Sequence, residues 1–235
     1  METVFALAER LLFLFGWLDL VAVTVFFGVS LTMTALIERR QARRPSVAVL
    51  MQRYRRDWMQ AFAERENRIF DAALLTTLRA GAAFFASTCL IAIGGTAALL
   101  GQTERVLMLA RDLGADPSTA ARSIWEAKLL VVLVLLVNAF LKFVWSHRLF
   151  GYVAVVMGAM PGPGTANEMA VERASRLQDS AGRSFNRGLR TVYFTLAALA
   201  WFLGPLALIL ASLATAAMLY RREFLSASRR ALARE

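Results

Sequence analysis

Residues 81–100 read GAAFFASTCLIAIGGTAALL, twenty residues without a charge. At about 1.5 Å per residue a helix of that length matches the roughly 30 Å hydrocarbon core of a bilayer. Small residues recur along it at Ala83, Ser87, Gly94, Ala98 and Gly101. Such a stripe lets a second helix approach closely, and it is equally the ordinary content of a membrane helix.

Working outward, the same signature returns on both sides. Leu11 to Ile37 carries a single charge, Asp19, and is stopped by the pairs Arg39-Arg40 and Arg43-Arg44. It does not read as a cleaved leader, because Glu2 and Glu9 replace a basic start and no small-residue cleavage site follows. Downstream, Leu129 to Leu141 is wholly apolar except for Asn138. Lys142, His147 and Arg148 follow, and apolar residues resume to Met160, ahead of Pro161-Gly162-Pro163-Gly164. The whole stretch exceeds one untilted crossing, so the membrane part is placed near 129–149. Thr191 to Tyr220 is again uncharged, with Gly204-Pro205 near its middle. With 58% hydrophobic residues against about 45–50% in soluble domains, the chain is expected to be one all-α membrane domain, 1–235. Four spans are expected, at about 11–37, 81–101, 129–149 and 191–220.

The connecting segments carry the polarity. Ser46 reads as a helix N-cap, and Leu50, Tyr54, Trp58, Phe62, Ile69 and Ala73 then recur at helical spacing opposite charged residues. An amphipathic helix over about 46–79 is expected, on the membrane surface or against the bundle. Residues 102–128 read as a mixed loop with a turn or helix start at Asp116-Pro117-Ser118. Residues 161–190 read as a polar cytoplasmic loop holding a short helix from 166 to 181.

Net charge is +10. Basic loops set topology and meet anionic lipid headgroups. Nucleic acid is not expected, because no aromatic platform is interleaved with the charge. With the amino terminus outside, the inner loops 38–80 and 142–190 hold ten and seven Lys+Arg, against one, four and five in the outer segments. The five outer charges of the last segment are arginines of the tail, and they oppose this orientation. Either Gly204-Pro205 kinks a single crossing, or it turns a re-entrant hairpin that brings the tail back inside. The kinked crossing is preferred, because a hairpin must bury its backbone polar groups in protein.

Ionisable groups inside a membrane are costly and are functional candidates by default. Asp19 and Asn138 sit at similar depth, about 12–14 Å from the outer end at helical rise, and Lys142 is one turn beyond Asn138. A cluster of Asp19, Asn138 and Lys142 is therefore a candidate for an ion pair or a solute path. The competing reading is a purely structural pair, or a lysine that snorkels. Cys89 is the only cysteine and His147 the only histidine. Neither finds the further ligands that a zinc or haem site needs, so no metal and no cofactor are expected. No nucleotide-binding loop, serine-hydrolase elbow or metalloprotease helix is present. Glu64, Glu66 and Asp71 lie beside Arg65 and Arg68, a pattern typical of a solvated, ion-paired face.

Four segments together resemble a known family. They are RDWMQAFAERENRIFDAALLTTLRAGAAFFASTCLIAIGG (56–95), NAFLKFVWSHRLFGYVAVVMGA (138–159), AGRSFNRGLRTVYF (181–194) and ALAWFLGPLALILASLATAAMLYRREF (198–224). The resemblance is to the bacterial "domain of unknown function 599" membrane proteins. It implies a multi-pass inner-membrane protein and carries over no catalytic residue. It marks Arg56, Trp58, Glu66, Asn67, Arg68, Asp71, Lys142, Asn186 and Gly188 as parts of family segments. Most of these fall on the inner side, the expected functional surface, with Gly204 and Pro205 as a candidate hinge.

The expected function is that of a non-enzymatic scaffold, accessory or assembly subunit. Its expected partners are anionic lipid headgroups, with a homo-oligomer or a larger membrane complex as further candidates. A small-solute or proton-coupled transporter using Asp19, Asn138 and Lys142 is the alternative. A lipid-active enzyme using Asp71, Glu66 and His147 is the third.

Overall fold

The computed structural model describes residues 16–39, 43–102, 104, 119–163, 165 and 168–233. The start of the first apolar segment (11–15) and the Asp116–Ser118 turn lie outside the described residues. The elements are α1 (Trp17–Glu38), α2 (Val47–Glu64), α3 (Ile69–Gly101), α4 (Thr119–Gly158), α5 (Glu168–Leu199), α6 (Pro205–Tyr220) and α7 (Ala227–Leu232). A 3-10 turn, Ala200–Leu203, separates α5 from α6. No strand occurs among the described residues.

Among the described residues, three helices are long and apolar enough to cross a membrane: Trp17–Glu38, Ile69–Gly101 and Arg122–Gly158. Their outer faces leave large side chains bare, such as Ile91 at 77% and Phe84 at 65% exposure. Apolar surface on this scale belongs against lipid rather than water. The expected fourth span is corrected by the geometry at Gly204. This glycine has φ 121° and ψ 168°, a backbone region open essentially to glycine alone. Pro205 starts α6, where its missing N–H costs no hydrogen bond. The chain therefore reverses instead of kinking.

Contacts at both ends fix the reversal. Before the turn, Trp201 Nε1 donates to Asp19 Oδ1 (2.6 Å), at the start of α1. After α6, the Glu223 carboxylate accepts from the Ala48 amide (3.0 Å), Arg229 Nε donates to the Pro45 carbonyl (3.0 Å), and Tyr54 donates to the Leu232 carbonyl (3.3 Å). The tail thus lies at the end of the bundle where α1 stops and α2 begins. The objection to a hairpin was its unsatisfied backbone. At the tip the Gly204 amide donates to the Trp201 carbonyl (3.0 Å), which also accepts from Lys128 Nζ (2.9 Å), so these groups are satisfied within the protein.

The amphipathic segment is also divided differently from the expectation. α2 ends at Glu64, and Ile69 opens α3, so residues 69–79 extend the second apolar helix. The break is built by polar side chains: Asn67 Oδ1 accepts from the Ile69 amide (3.0 Å), a turn that asparagine favours. α2 lies against the bundle, since Met59 and Phe62 are buried with Leu149, Val153, Met157 and Ala174.

The polar "loop" 161–190 is mostly α5, 32 residues long. Gly182 and Gly188 are points of close approach. A Cβ on Gly182 would lie 2.7 Å from the Arg55 guanidinium, and one on Gly188 would lie 2.8 Å from the Phe143 ring.

Helices of 33, 40 and 32 residues reach about 50–60 Å, far beyond a bilayer core. The excess of α3, α4 and α5 gathers at one end with α2 into an extension with its own apolar core. A separate core joins α1, α4, α5 and α6 around Phe26, Val132, Phe194 and Leu208.

Candidate functional site

The expected intramembrane cluster is not assembled. Asp19 is held by Trp201, and Lys142 Nζ donates to Thr191 Oγ1 on α5 (2.8 Å). Asn138 is exposed on the outside of α4. The cation in electrostatic reach of Asp19 is Lys128, which also lies over the Trp201 ring at 5.2 Å. The reason is depth: Lys142 lies about 21 Å further along α4 than Lys128, and its charged neighbours are Glu38, Arg187 and Arg190 at the far end of α1. Lys128 was read as the end of a loop. Its spacing of fourteen residues from Lys142 is close to four helical turns, which puts both lysines on the face of α4 that meets α5.

The inner polar residues split into two groups. One group is a structural clasp. Asp71 is fully buried, and its Oδ1 accepts from both Trp58 Nε1 and Arg65 Nη1 at 2.6 Å. Arg68 donates to the carbonyls of Met160 (3.0 Å) and Pro161 (2.7 Å), closing the carboxyl end of α4. Glu64 and Glu66 are exposed. His147 Nδ1 sits 3.2 Å from the Arg79 carbonyl, so His147, Glu66 and Asp71 serve three separate surroundings.

The second group forms a site. α5 carries a charged column at helical spacing: Glu172, Arg176, Asp179, Arg183, Arg187 and Arg190. It faces α2, which contributes Gln52, Arg53 and Arg56 to an open groove of about 590 Å³. Glu172 pairs with Arg176 (2.7 Å) and Arg56 (3.6 Å), and the Arg176 hydrogen bond holds its carboxyl below the ordinary range. Asp179 pairs with Arg55 (3.4 Å), whose guanidinium lies on Gly182. Burial pushes the Arg55 pKa down, and Asp179 opposes that shift.

Behind the groove, Arg183 and Asn186 line a cavity of about 10 Å³, shared with Gln52 and Arg190. That is room for about one water. Deeper still, the Glu38 carboxylate at the end of α1 accepts from both Arg187 and Arg190. Arg183 Nη1 is buried and has no hydrogen-bond partner. Sequence reasoning marked Arg56 and Asn186 but passed over Glu38, Arg55, Asp179, Arg183 and Arg190. The available signal was the charge spacing along 172–190, obscured because the helix expected over 166–181 stops short of Arg183, Arg187 and Arg190.

The match to known families covers nearly all of this architecture: residues 21–228 match "Protein of unknown function, DUF599". The chain belongs to that family. No curated protein and no solved structure matches it. In this DUF599 chain the matched region runs from α1 into α7, so the hairpin, the clasp and the groove all lie within it.

Proposed function

We propose that this DUF599 protein is a non-enzymatic scaffold or assembly subunit of the bacterial inner membrane. In this reading α1, α3 and α4 cross the bilayer, and the α5–α6 hairpin enters and leaves from the inner side. The extension made by α2 and the overhanging ends of α3, α4 and α5 stands in the cytoplasm as a platform. With the tail inside, segments 38–80, 142–190 and 221–235 hold ten, seven and five Lys+Arg, against five elsewhere. The charge that opposed the orientation now favours it.

The observation that carries the scaffold reading is the rigidity of the extension. Its core is separate from the membrane core. Its most buried acid, Asp71, and its arginines Arg65 and Arg68 are spent on holding helix ends together. The tail is tied to α2 by two further hydrogen bonds and to Pro45, just before it, by a third. A surface fixed in this way is suited to presenting a constant face to another chain. Extraction in a mild detergent followed by native mass measurement tests the reading. A second copy or a co-purifying chain is expected. An isolated monomer under every mild condition contradicts it.

A further inference from the structure

We propose that the groove between α2 and α5 is a binding site for a phosphate group, carried either by a lipid headgroup or by a soluble phosphorylated molecule. The inference goes beyond the scaffold reading and stands or falls separately. The groove is lined by Arg53, Arg56, Arg176 and Arg183, with Glu172 and Asp179 as its acids. Four cations against two anions leave the lining two positive charges in excess, matching a phosphate monoester dianion.

Both acids are already engaged, Glu172 by Arg56 and Arg176, and Asp179 by Arg55 beneath the floor. Arg183 lies at the inner end of the groove. Its Nη1 is out of contact with solvent and has no hydrogen-bond partner. A buried guanidinium N–H left unmade is costly, and a charged acceptor removes that cost. The field from behind has the same sign, since the three cations Lys142, Arg187 and Arg190 face two acids, Glu38 and, near Arg190, Glu223.

Every cation lining the groove is an arginine. The planar fork of donors suits the tetrahedral oxygens of phosphate in a way that a lysine point charge does not. The opening of about 590 Å³ is larger than one phosphate, leaving space for the group that bears it. A merely solvated basic face explains Arg176, whose side chain is 79% exposed, but not the half-buried Arg183, whose Nη1 has no hydrogen-bond partner.

The test uses the full chain in detergent and in nanodiscs, with thermal unfolding as the readout. Inorganic phosphate is titrated against chloride at matched ionic strength. A saturable rise in the midpoint with phosphate is expected, because a ligand that binds only the folded state stabilises it by mass action. Arg183→Gln should weaken this by about tenfold or more, the scale of one lost charge-assisted bond, and Arg183→Lys should restore only part. Arg176→Gln alters an exposed side chain and keeps the test valid if the Arg183 variants do not fold; it should weaken binding several-fold.

A rise with free phosphate in detergent assigns a soluble ligand. A rise confined to nanodiscs containing anionic phospholipid, absent with phosphatidylcholine alone and diminished in the same variants, assigns a headgroup. No rise in either setting overturns the site. So does a rise of equal size in wild type, Arg183→Gln and Arg176→Gln.

Discussion

Gly188→Ala is the substitution whose consequence follows most directly from the packing of α5 on α4. A Cβ at residue 188 would stand 2.8 Å from two ring carbons of Phe143 and 3.0 Å from a third. Carbon atoms rest at about 3.5–4.0 Å, so the overlap is roughly 0.7 Å. The ring has no room to yield. Phe143 is fully buried, stacked on Phe85 (centroids 5.3 Å, 18° between planes) and edge-on to Phe185 (5.5 Å, 69°). Overpacking of this kind costs about 1–3 kcal/mol. Removing a glycine from a helix interior returns about 1 kcal/mol.

Gly151→Ala supplies the control, because nothing lies within 4 Å of its Cβ position and only the gain applies. The two variants should therefore differ by about 1–3 kcal/mol, or several degrees in midpoint for a chain of this size. Cys89 is the only cysteine, is 4% exposed and sits in the same cluster as Phe143. A thiol-reactive fluorophore thus reports unfolding at the site itself. Gly188→Ala should label at lower temperature than wild type and Gly151→Ala at the same or higher temperature. Phe143→Leu should recover part of the loss in the Gly188→Ala background. If Gly188→Ala proves as stable as Gly151→Ala, the close approach of α4 and α5 is wrong.

Gly204→Ala should destabilise by about 1–3 kcal/mol through backbone strain alone, since φ is 121° and no atom lies within 4 Å; thermal unfolding checks this, and an unchanged midpoint contradicts the turn. Asp71→Ala should cost about 1–3 kcal/mol, because it leaves the half-buried Trp58 Nε1 without its acceptor, while Arg65, 42% exposed, turns to solvent. Asp71→Asn should cost less, as its amide oxygen still accepts from Trp58; equal losses in the two variants, measured by the same labelling assay, would count against the clasp.

The helices long and apolar enough to cross a bilayer were legible because length and absence of charge are read directly from the sequence. The run at 81–100 survives inside α3, and the apolar run after Leu129 survives inside α4. The hairpin was not legible. An uncharged stretch of thirty residues fits a kinked crossing or two legs equally, and the deciding contacts, Trp201 to Asp19 and Glu223 to Ala48, are 182 and 175 residues apart. The same distance problem hid the site. Asp19 and Lys142 were paired because they were the only charges seen at depth, while the lysine near Asp19 sat in a segment read as loop. Nothing in the sequence shows that Gly182 and Gly188 lie against Arg55 and Phe143. With the expected helix ending at 181, the column of arginines and acids along α5 is cut in two and shows no continuous face. Asp71 was noticed for its neighbours in sequence, and one of them, Arg65, is indeed its partner.

The central claim is that the last apolar segment turns back at Gly204, so that the tail and the α1–α2 connection share one side of the membrane. Single cysteines in a Cys89→Ala background test it, probed with a membrane-impermeant maleimide on sealed vesicles of each orientation. Ala231→Cys in α7 should label from the same side as Glu66→Cys in the extension, and from the side opposite to Gln102→Cys beyond α3. Labelling of Ala231→Cys together with Gln102→Cys, and apart from Glu66→Cys, would restore a single kinked crossing and contradict the hairpin.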